Sequence, residues 1–526
     1  MRDFQQPGRS ATYAANGICA TSHPLAAKTA IAILEAGGNA VDAAIAGAVL
    51  LGICEPQMTG IGGDCFALVK PAGSDDILAL NGSGRAPAGL SAAAMRDRGN
   101  GVVPFYGVEA VTIPGAVDAF CRLSADWGRI GLPATLAPAI RYADEGVPVA
   151  PRVARDWALA EPHLSGVART YYLLDGKAPV PGQIFRAPGL AEVLRRIAAQ
   201  GRAGFYGGEV AADMVASLRA LGGCHTLADF DATACTYATP VSGIYRGIEL
   251  VEHPPNGHGV TAILLANILQ AFDIAALDPF GARRAHLEAE AAKLAHDARD
   301  RFLADPDHMT RLDHLLSPVT ADRLAALIDP ERAGADPAPR TEAVHRDTIY
   351  ITVVDRDRMA VSLIYSVDHS FGAGLASDRF GINFQNRGAG FNLIAGHPNE
   401  AAGGKRPMHT IIPAMLRRNG RVIMPFGVMG GAYQPTGHVR LMSNLVDFGM
   451  DLQTALDGPR SFMGESEGLE LERGHAPEVR TALAAMGHIV TTPDTPLGGA
   501  QAIWMEDSGA LIGASDPRKD GCALGY

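Results

Sequence analysis

The spacing of apolar residues along the chain marks out its elements before any chemistry is considered. Pro24–Glu35 carries apolar side chains at helical spacing and stops at Gly37-Gly38; Asn39 then caps a second predicted helix, residues 40–53, that is apolar on almost every side and must be buried. Short strand-like runs follow at 65–69 and 77–80, and helical stretches broken by Gly and Pro continue to about residue 303. Residues 330–347 (PERAGADPAPRTEAVHRD) contain no large apolar side chain except Val344 and read as a mobile segment. Directly after it comes the strongest strand signal in the chain, 348–354, then a polar DRDR, then 359–367, which together predict a β-hairpin. A three-residue loop over Arg356 to Arg358 places Thr348 opposite Ser366 on one face; a four-residue loop shifts the pairing by one. Alternation puts Ile349, Ile351 and Val353 on one side and the hydroxyls of Thr348, Tyr350 and Thr352 on the other. The order of elements reads as mixed α and β.

Composition narrows the function. Of 526 residues 47% are apolar and 19% charged, enough to build a large core, and the net charge of -11 is scattered rather than clustered. Nucleic acid is therefore not an expected partner, because phosphate binding needs a concentrated basic surface. The longest apolar run, residues 43–53, is too short to cross a bilayer, and the polar N-terminal stretch has no apolar signal region, so neither a membrane nor export is expected. Seven cysteines, odd in number and never in a CxxC, fit a reducing compartment, and a cytoplasmic location is the expectation.

A flexible segment running into a threonine that opens a buried strand has two readings. Threonine is a common first residue of strands for its β-propensity alone. The chemical reading is self-cleavage between Asp347 and Thr348, after which the new α-amine, titrating near pH ~8, serves as base for the Thr348 hydroxyl. Other motif-like strings support no chemistry. GESEG (464–468) lacks the strand and helix a nucleophile elbow needs, and HRD (345–347) and DFG (447–449) lack the other kinase elements. His286, Glu290 and His296 lie on a helix-like run without HExxH spacing, so an exposed amphipathic helix is expected there rather than a zinc site; no metal or cofactor is called for.

The runs AILEAGGNAVDAAIA (32–46), TGIGGDCFALV (59–69), VTIPGAVDAF (111–120), HPPNGHGVTAILLANIL (253–269) and AHDARDRFLADP (295–306) occupy the first part of the chain. DTIYITVVDRDRMAVSLIYSVDHSFGAGL (347–375), GKRPMHTIIPAM (404–415) and GVMGGAYQPTGHV (427–439) occupy the second. With these runs the chain resembles the γ-glutamyltransferase family of N-terminal nucleophile hydrolases along most of its length. The resemblance implies an α+β fold, a four-layer αββα sandwich, and self-cleavage into residues 1–347 and 348–526, which stay together as a heterodimer; further oligomerisation is left open. It implies Thr348 as nucleophile, Ser366 as its hydrogen-bond partner, and Gly430 and Gly431 as the amides that hold the oxyanion. His409 and Thr410 match two serines that contact the substrate carboxylate, with core or turn polarity as the alternative.

Where transferases of the family hold the glutamyl α-carboxylate and α-ammonium with Gln and Asp, the run GINFQNRGAGF gives Arg387 and Gly390. The ammonium's usual counter-charge is missing, and the lid-forming segment after Phe391 is short, which implies an open pocket lined by cations. Asp368 stands where the family has Asn and reads either as a replacement negative charge or as a solvated turn carboxylate. In ALNGSGRAPAGL (79–90) Ser83 falls at the family's carboxylate-binding arginine and Arg85 two residues later, which leaves Arg85 a candidate. The expected reaction is hydrolysis or transfer of γ-glutamyl-type amides such as glutathione. One alternative is an acylase for glutaryl-type or oxamate-like acyl amides, and another is an unprocessed binding protein without activity.

Overall fold

The computed structural model describes residues 4, 5, 7–334, 348–463 and 468–526. Asp347, the HRD string and most of GESEG lie outside the described residues. Two seven-stranded sheets form the centre. In order, the first contains Thr12–Ala14, Leu511–Ser515, Gly499–Met505, Arg421–Met429, Ala414–Arg418, Ile248–Glu252 and Val241–Tyr245. The second contains Cys522–Gly525, Ile18–Thr21, Ile349–Val354, Ala360–Ser366, Asp64–Lys70, Leu78–Gly82 and Thr236–Ala238. All pairings within these two sheets are antiparallel. Both sheets interleave strands from before and after position 347, so neither half of the chain can complete a sheet alone.

Each sheet has helices on its outer face. Ile349, Ile351 and Val353 pack with the helices Pro24–Glu35 and Ala40–Cys54. The second of these is buried along its whole length and is started by a reciprocal cap between Asn39 and Asp42. The first sheet packs against Gly259–Leu269, Ala282–Phe302 and Gln434–Val446. Between the sheets lie Phe66, Tyr350, Ile364, Ile411 and Met429, so the alternation read from the sequence separates a helix-facing side from a sheet-facing side. The architecture is an αββα sandwich. Among the described residues no helix is long and apolar enough to cross a membrane.

The helix Ala282–Phe302 corrects one expectation. It is not exposed: Arg284, His286, Glu288, Glu290, Lys293, His296 and Arg299 are all buried. One side meets the helix Gly259–Leu269, while Ala285 and Ala289 face Met463, Leu469, Leu471 and Leu483. Its charges are tolerated there because they pair, Arg284 with Glu288 at 2.8 Å and Lys293 with Glu290 at 2.7 Å.

Candidate active site

The hairpin Ile349–Val354/Ala360–Ser366 has the register of the three-residue loop, with Ile349 opposite Tyr365 and Val354 opposite Ala360. Arg358, the last loop residue, takes the left-handed conformation that such a loop needs at this position (φ 59°). Thr348 and Ser366 thus meet at the open end of the hairpin, both buried, and Thr348 Oγ1 donates to Ser366 Oγ at 3.3 Å. Ser366 Oγ also accepts Arg387 Nη2 at 3.3 Å and the Asp368 backbone N–H at 2.8 Å.

Gly430 and Gly431 end the strand Arg421–Met429 in the facing sheet. The two sheets run in step towards them: Ser362 Oγ donates to Phe426 O at 3.1 Å, a Cβ on Gly427 would lie 2.4 Å from the Tyr350 ring, and Met429 packs with Tyr350 and Ile364. The next positions on the hairpin are Thr348 and Ser366. Both glycines have positive φ, 123° and 54°, and a Cβ on Gly430 would sit 2.9 Å from Gly498 Cα, so the turn that presents these amides requires glycine.

Arg387 is buried and engaged through both of its terminal nitrogens. Besides Ser366 it binds Thr410 Oγ1 through Nη1 at 2.9 Å and Asp368 Oδ1 at 2.6 Å. Asp368, held at φ 81°, is therefore not a solvated turn carboxylate, and the expected cation-lined pocket is corrected to a paired one: the guanidinium charge is met by Asp368. Gly390 has a packing reason, since a Cβ there would lie 2.4 Å from Met408 O, leaving no room for an acidic side chain.

His409 and Thr410 separate. Thr410 faces Arg387, whereas the fully buried His409 turns its Nε2 to Asp64 Oδ2 at 3.1 Å and lies tilted on Phe66. Burial, with the nearby Arg387 cation, holds the His409 pKa well below the ordinary histidine range, so the ring is neutral. Arg85 is half-exposed and spends its guanidinium on Asp305 (3.3 Å) and Gly404 O (3.0 Å) rather than on the Thr348 group. Ser83 is buried and accepts Asn256 Nδ2 at 3.1 Å.

Outside this site, His286, Glu290 and His488 place ligand-type atoms within 4.8 Å of one another. His296 is not part of the group, and His488 has no sequence signal because it is remote in the chain. These atoms are already hydrogen-bonded within the protein. His286 Nε2 bonds Asp329 O (2.8 Å), its Nδ1 bonds His488 Nε2 (2.7 Å), and Glu290 takes Lys293 Nζ (2.7 Å) and Gly334 N (3.1 Å). The grouping works as a clamp tying this helix to residues 329–334 and to the loop at His488.

A sandwich of this kind, with a threonine at the mouth of a central strand, defines the N-terminal nucleophile amide hydrolases. The gamma-glutamyltranspeptidase family model matches residues 26–526, and the chain belongs to that family. It is similar to the glutathione hydrolase-like YwrD proenzyme of Bacillus subtilis, 36% identical over 520 residues, 96% of this chain and 97% of the relative. It is also 35% identical over 539 residues to the oxamate amidohydrolase proenzyme of Klebsiella pneumoniae, covering 98% of this chain and all of the relative. The crystal structure of cephalosporin acylase from Bacillus halodurans superposes with a TM-score of 0.92 at 37% identity, covering 100% of this chain and 99% of that one. The chain is an enzyme of the γ-glutamyltransferase-like amide-hydrolase type.

Proposed function

We propose that the chain cleaves itself between Asp347 and Thr348 and then hydrolyses amides of short acidic acyl groups through an acyl-enzyme on Thr348. The single observation that carries this reading is the row Thr348 Oγ1, Ser366 Oγ, Arg387 Nη2, joined by two 3.3 Å contacts. A hydroxyl attacks well only when its proton has a fixed path and its oxygen a fixed direction. In maturation the Thr348 hydroxyl attacks the Asp347 carbonyl and the peptide shifts to an ester, which frees the Thr348 α-amine; water then cleaves the ester to the Asp347 carboxylate and the Thr348 hydroxyl. In turnover that amine takes the hydroxyl proton, Oγ1 adds to the substrate carbonyl, and the Gly430 and Gly431 amides receive the oxyanion. The proton passes to the leaving amine, and water then cleaves the acyl ester. The interleaved strands keep fragments 1–347 and 348–526 together as a heterodimer. Arg387, bonded to Ser366 Oγ and sharing its charge with Asp368, supports a carboxylate on the acyl group a few carbons from the scissile carbonyl.

The pair Arg387–Asp368 favours a second reading, γ-glutamyl amides, because one charge of each sign matches an α-carboxylate and an α-ammonium. Intact-mass measurement of the purified protein tests maturation, with two fragments expected. Thr348→Ala should stay a single chain and lack turnover, and Thr348→Ser should keep part of both. Fragmentation of the alanine variant at the same bond would mean ordinary proteolysis and end the proposal. A wild-type chain that remains whole and inert would point to a binding protein instead.

A further inference from the structure

Asp64 begins the strand Asp64–Lys70 and is the register partner of Ser366. Thr348, Ser366 and Asp64 therefore stand in line across three neighbouring strands. The approach is built into the sequence: a Cβ on Gly63 would meet Ser366 O at 2.2 Å, and one on Gly84 would meet Ile113 O at 1.5 Å. The Asp64 side chain is fully buried yet accepts four hydrogen bonds. Oδ1 takes Gly84 N at 2.9 Å, Gly115 N at 3.0 Å and Gln385 Nε2 at 2.9 Å, and Oδ2 takes His409 Nε2 at 3.1 Å.

The two side-chain donors belong to the walls of the site. Gln385 lies two residues before Arg387, and His409 directly precedes Thr410, which receives Arg387 Nη1. A carboxylate only accepts, so the neutral His409 carries its proton on Nε2.

We propose that Asp64 is a positioning residue of the Thr348 site: its carboxylate fixes His409 and the Gln385 amide, and through the adjoining Thr410 and Arg387 it holds the guanidinium against Ser366. The inference rests on the reading of Thr348 as nucleophile. It carries a pH signature. Burial raises the Asp64 carboxyl to about 6, against the opposing pull of the Gly84 N–H, Arg387, Gln385 and the Gly115 N–H. The charged and titratable groups facing it are Arg387, Arg406, His409 and Cys65, with Asp368 and His253 behind His409. Arg387 and Arg406 stay cationic, and the Cys65 thiol is pushed up by burial, so the group that titrates near pH 6 at this place is Asp64.

The experiment measures self-cleavage rate and turnover of acyl p-nitroanilides against pH, together with an infrared titration of the folded protein. Asp64→Asn should lower both rates roughly 10 to 100-fold, as expected for a misplaced wall, and the self-cleavage profile, in which the Thr348 nitrogen is still part of a peptide bond and does not titrate, should lose its acid limb near pH 6. The difference spectrum, wild type minus Asp64→Asn, should show a carboxylic acid band that titrates there. His409→Leu removes a donor from the carboxylate and should move the limb to higher pH, while His409→Gln, which keeps a donor, should leave it near the wild-type position. An unchanged limb in Asp64→Asn, or in His409→Leu if the first variant does not fold, overturns the proposal, and so does a band titrating in the ordinary carboxylate range. Thr348→Ala separates this from the functional reading: if that variant still self-cleaves, the nucleophile assignment fails whatever Asp64 does.

Discussion

Ser366 Oγ accepts the Thr348 hydroxyl at 3.3 Å while taking two further donors, Arg387 Nη2 and the backbone N–H of Asp368, two residues on. The oxygen that orients the threonine is thus itself held by an ion pair and by the turn that leaves the strand. Ser366→Ala removes the acceptor without changing volume greatly, and it should fold while losing activity roughly 10 to 1000-fold, the scale of a missing orienting group. Progress curves on a p-nitroanilide and the fraction of cleaved chain on a gel would measure it. Wild-type rates would remove Ser366 from the reaction path.

This relationship was legible in the sequence because hairpin register follows from loop length, and the loop Arg356 to Arg358 left only two options. The helix after Asn39 was equally legible from its cap and apolar run. The four-layer architecture came from resemblance, since periodicity says which face is buried but not against what. The pairing of Arg387 with Asp368 was not legible: residues 19 apart in the chain meet only because the segment after the hairpin folds back. Asp64 was missed for a related reason. A lone aspartate at the start of a strand carries no local signal, and its donors, Gly84, Gly115, Gln385 and His409, come from four separate segments. The burial of the helix Ala282–Phe302 has no local sign in the sequence, because its charges pair with one another and with Arg440, which is remote in the chain.

The Asn39 cap gives a stability prediction independent of function. Asn39 Oδ1 accepts the N–H groups of Val41 and Asp42, Asp42 Oδ2 accepts the Asn39 N–H, and Asn39 Nδ2 donates to Trp127 O at 2.6 Å. Asn39→Ala should cost about 1 to 2 kcal/mol, read as a lower midpoint in urea unfolding. Unchanged stability would show that the burial of Ala40–Cys54 suffices without the cap.

Glu55 predicts a pH dependence of stability. It is fully buried, accepts Ser22 Oγ at 2.5 Å, and burial raises its pKa to about 7, opposed by Lys519 and Ser22. A carboxyl raised on folding contributes most when protonated in both states, below its ordinary value, and that contribution is lost as pH rises through the folded value near 7. Glu55→Gln never acquires the buried charge. The stability of this variant relative to wild type should therefore increase between pH 4.5 and pH 8, by at most about 3 kcal/mol. Urea unfolding at the two pH values measures the change; a constant difference would show that Glu55 is ionised throughout.

Acyl-group preference should turn on Asp368. In the wild type its carboxylate lies 2.6 Å from Arg387, which lowers the net attraction of the site for a substrate carboxylate and leaves a negative group available to an α-ammonium. Gly390 supplies no counter-charge and has no space for one. If Asp368 serves only to neutralise Arg387, an ammonium gains nothing from entering, and burying it unpaired would cost several kcal/mol, so glutaryl p-nitroanilide should match or exceed the γ-glutamyl compound in kcat/KM. Asp368→Asn keeps the shape, frees the guanidinium charge and removes the negative group. The ratio of kcat/KM for glutaryl over γ-glutamyl substrate should then rise by roughly 10 to 100-fold, the equivalent of one charge-assisted hydrogen bond exchanged. A wild-type preference of about a hundredfold for the γ-glutamyl compound, near 2.8 kcal/mol, would reverse the order and assign Asp368 as the ammonium's partner. A ratio that the substitution leaves untouched would mean that neither charge reaches the acyl group and that Asp368 serves the geometry of Arg387 and Ser366 alone.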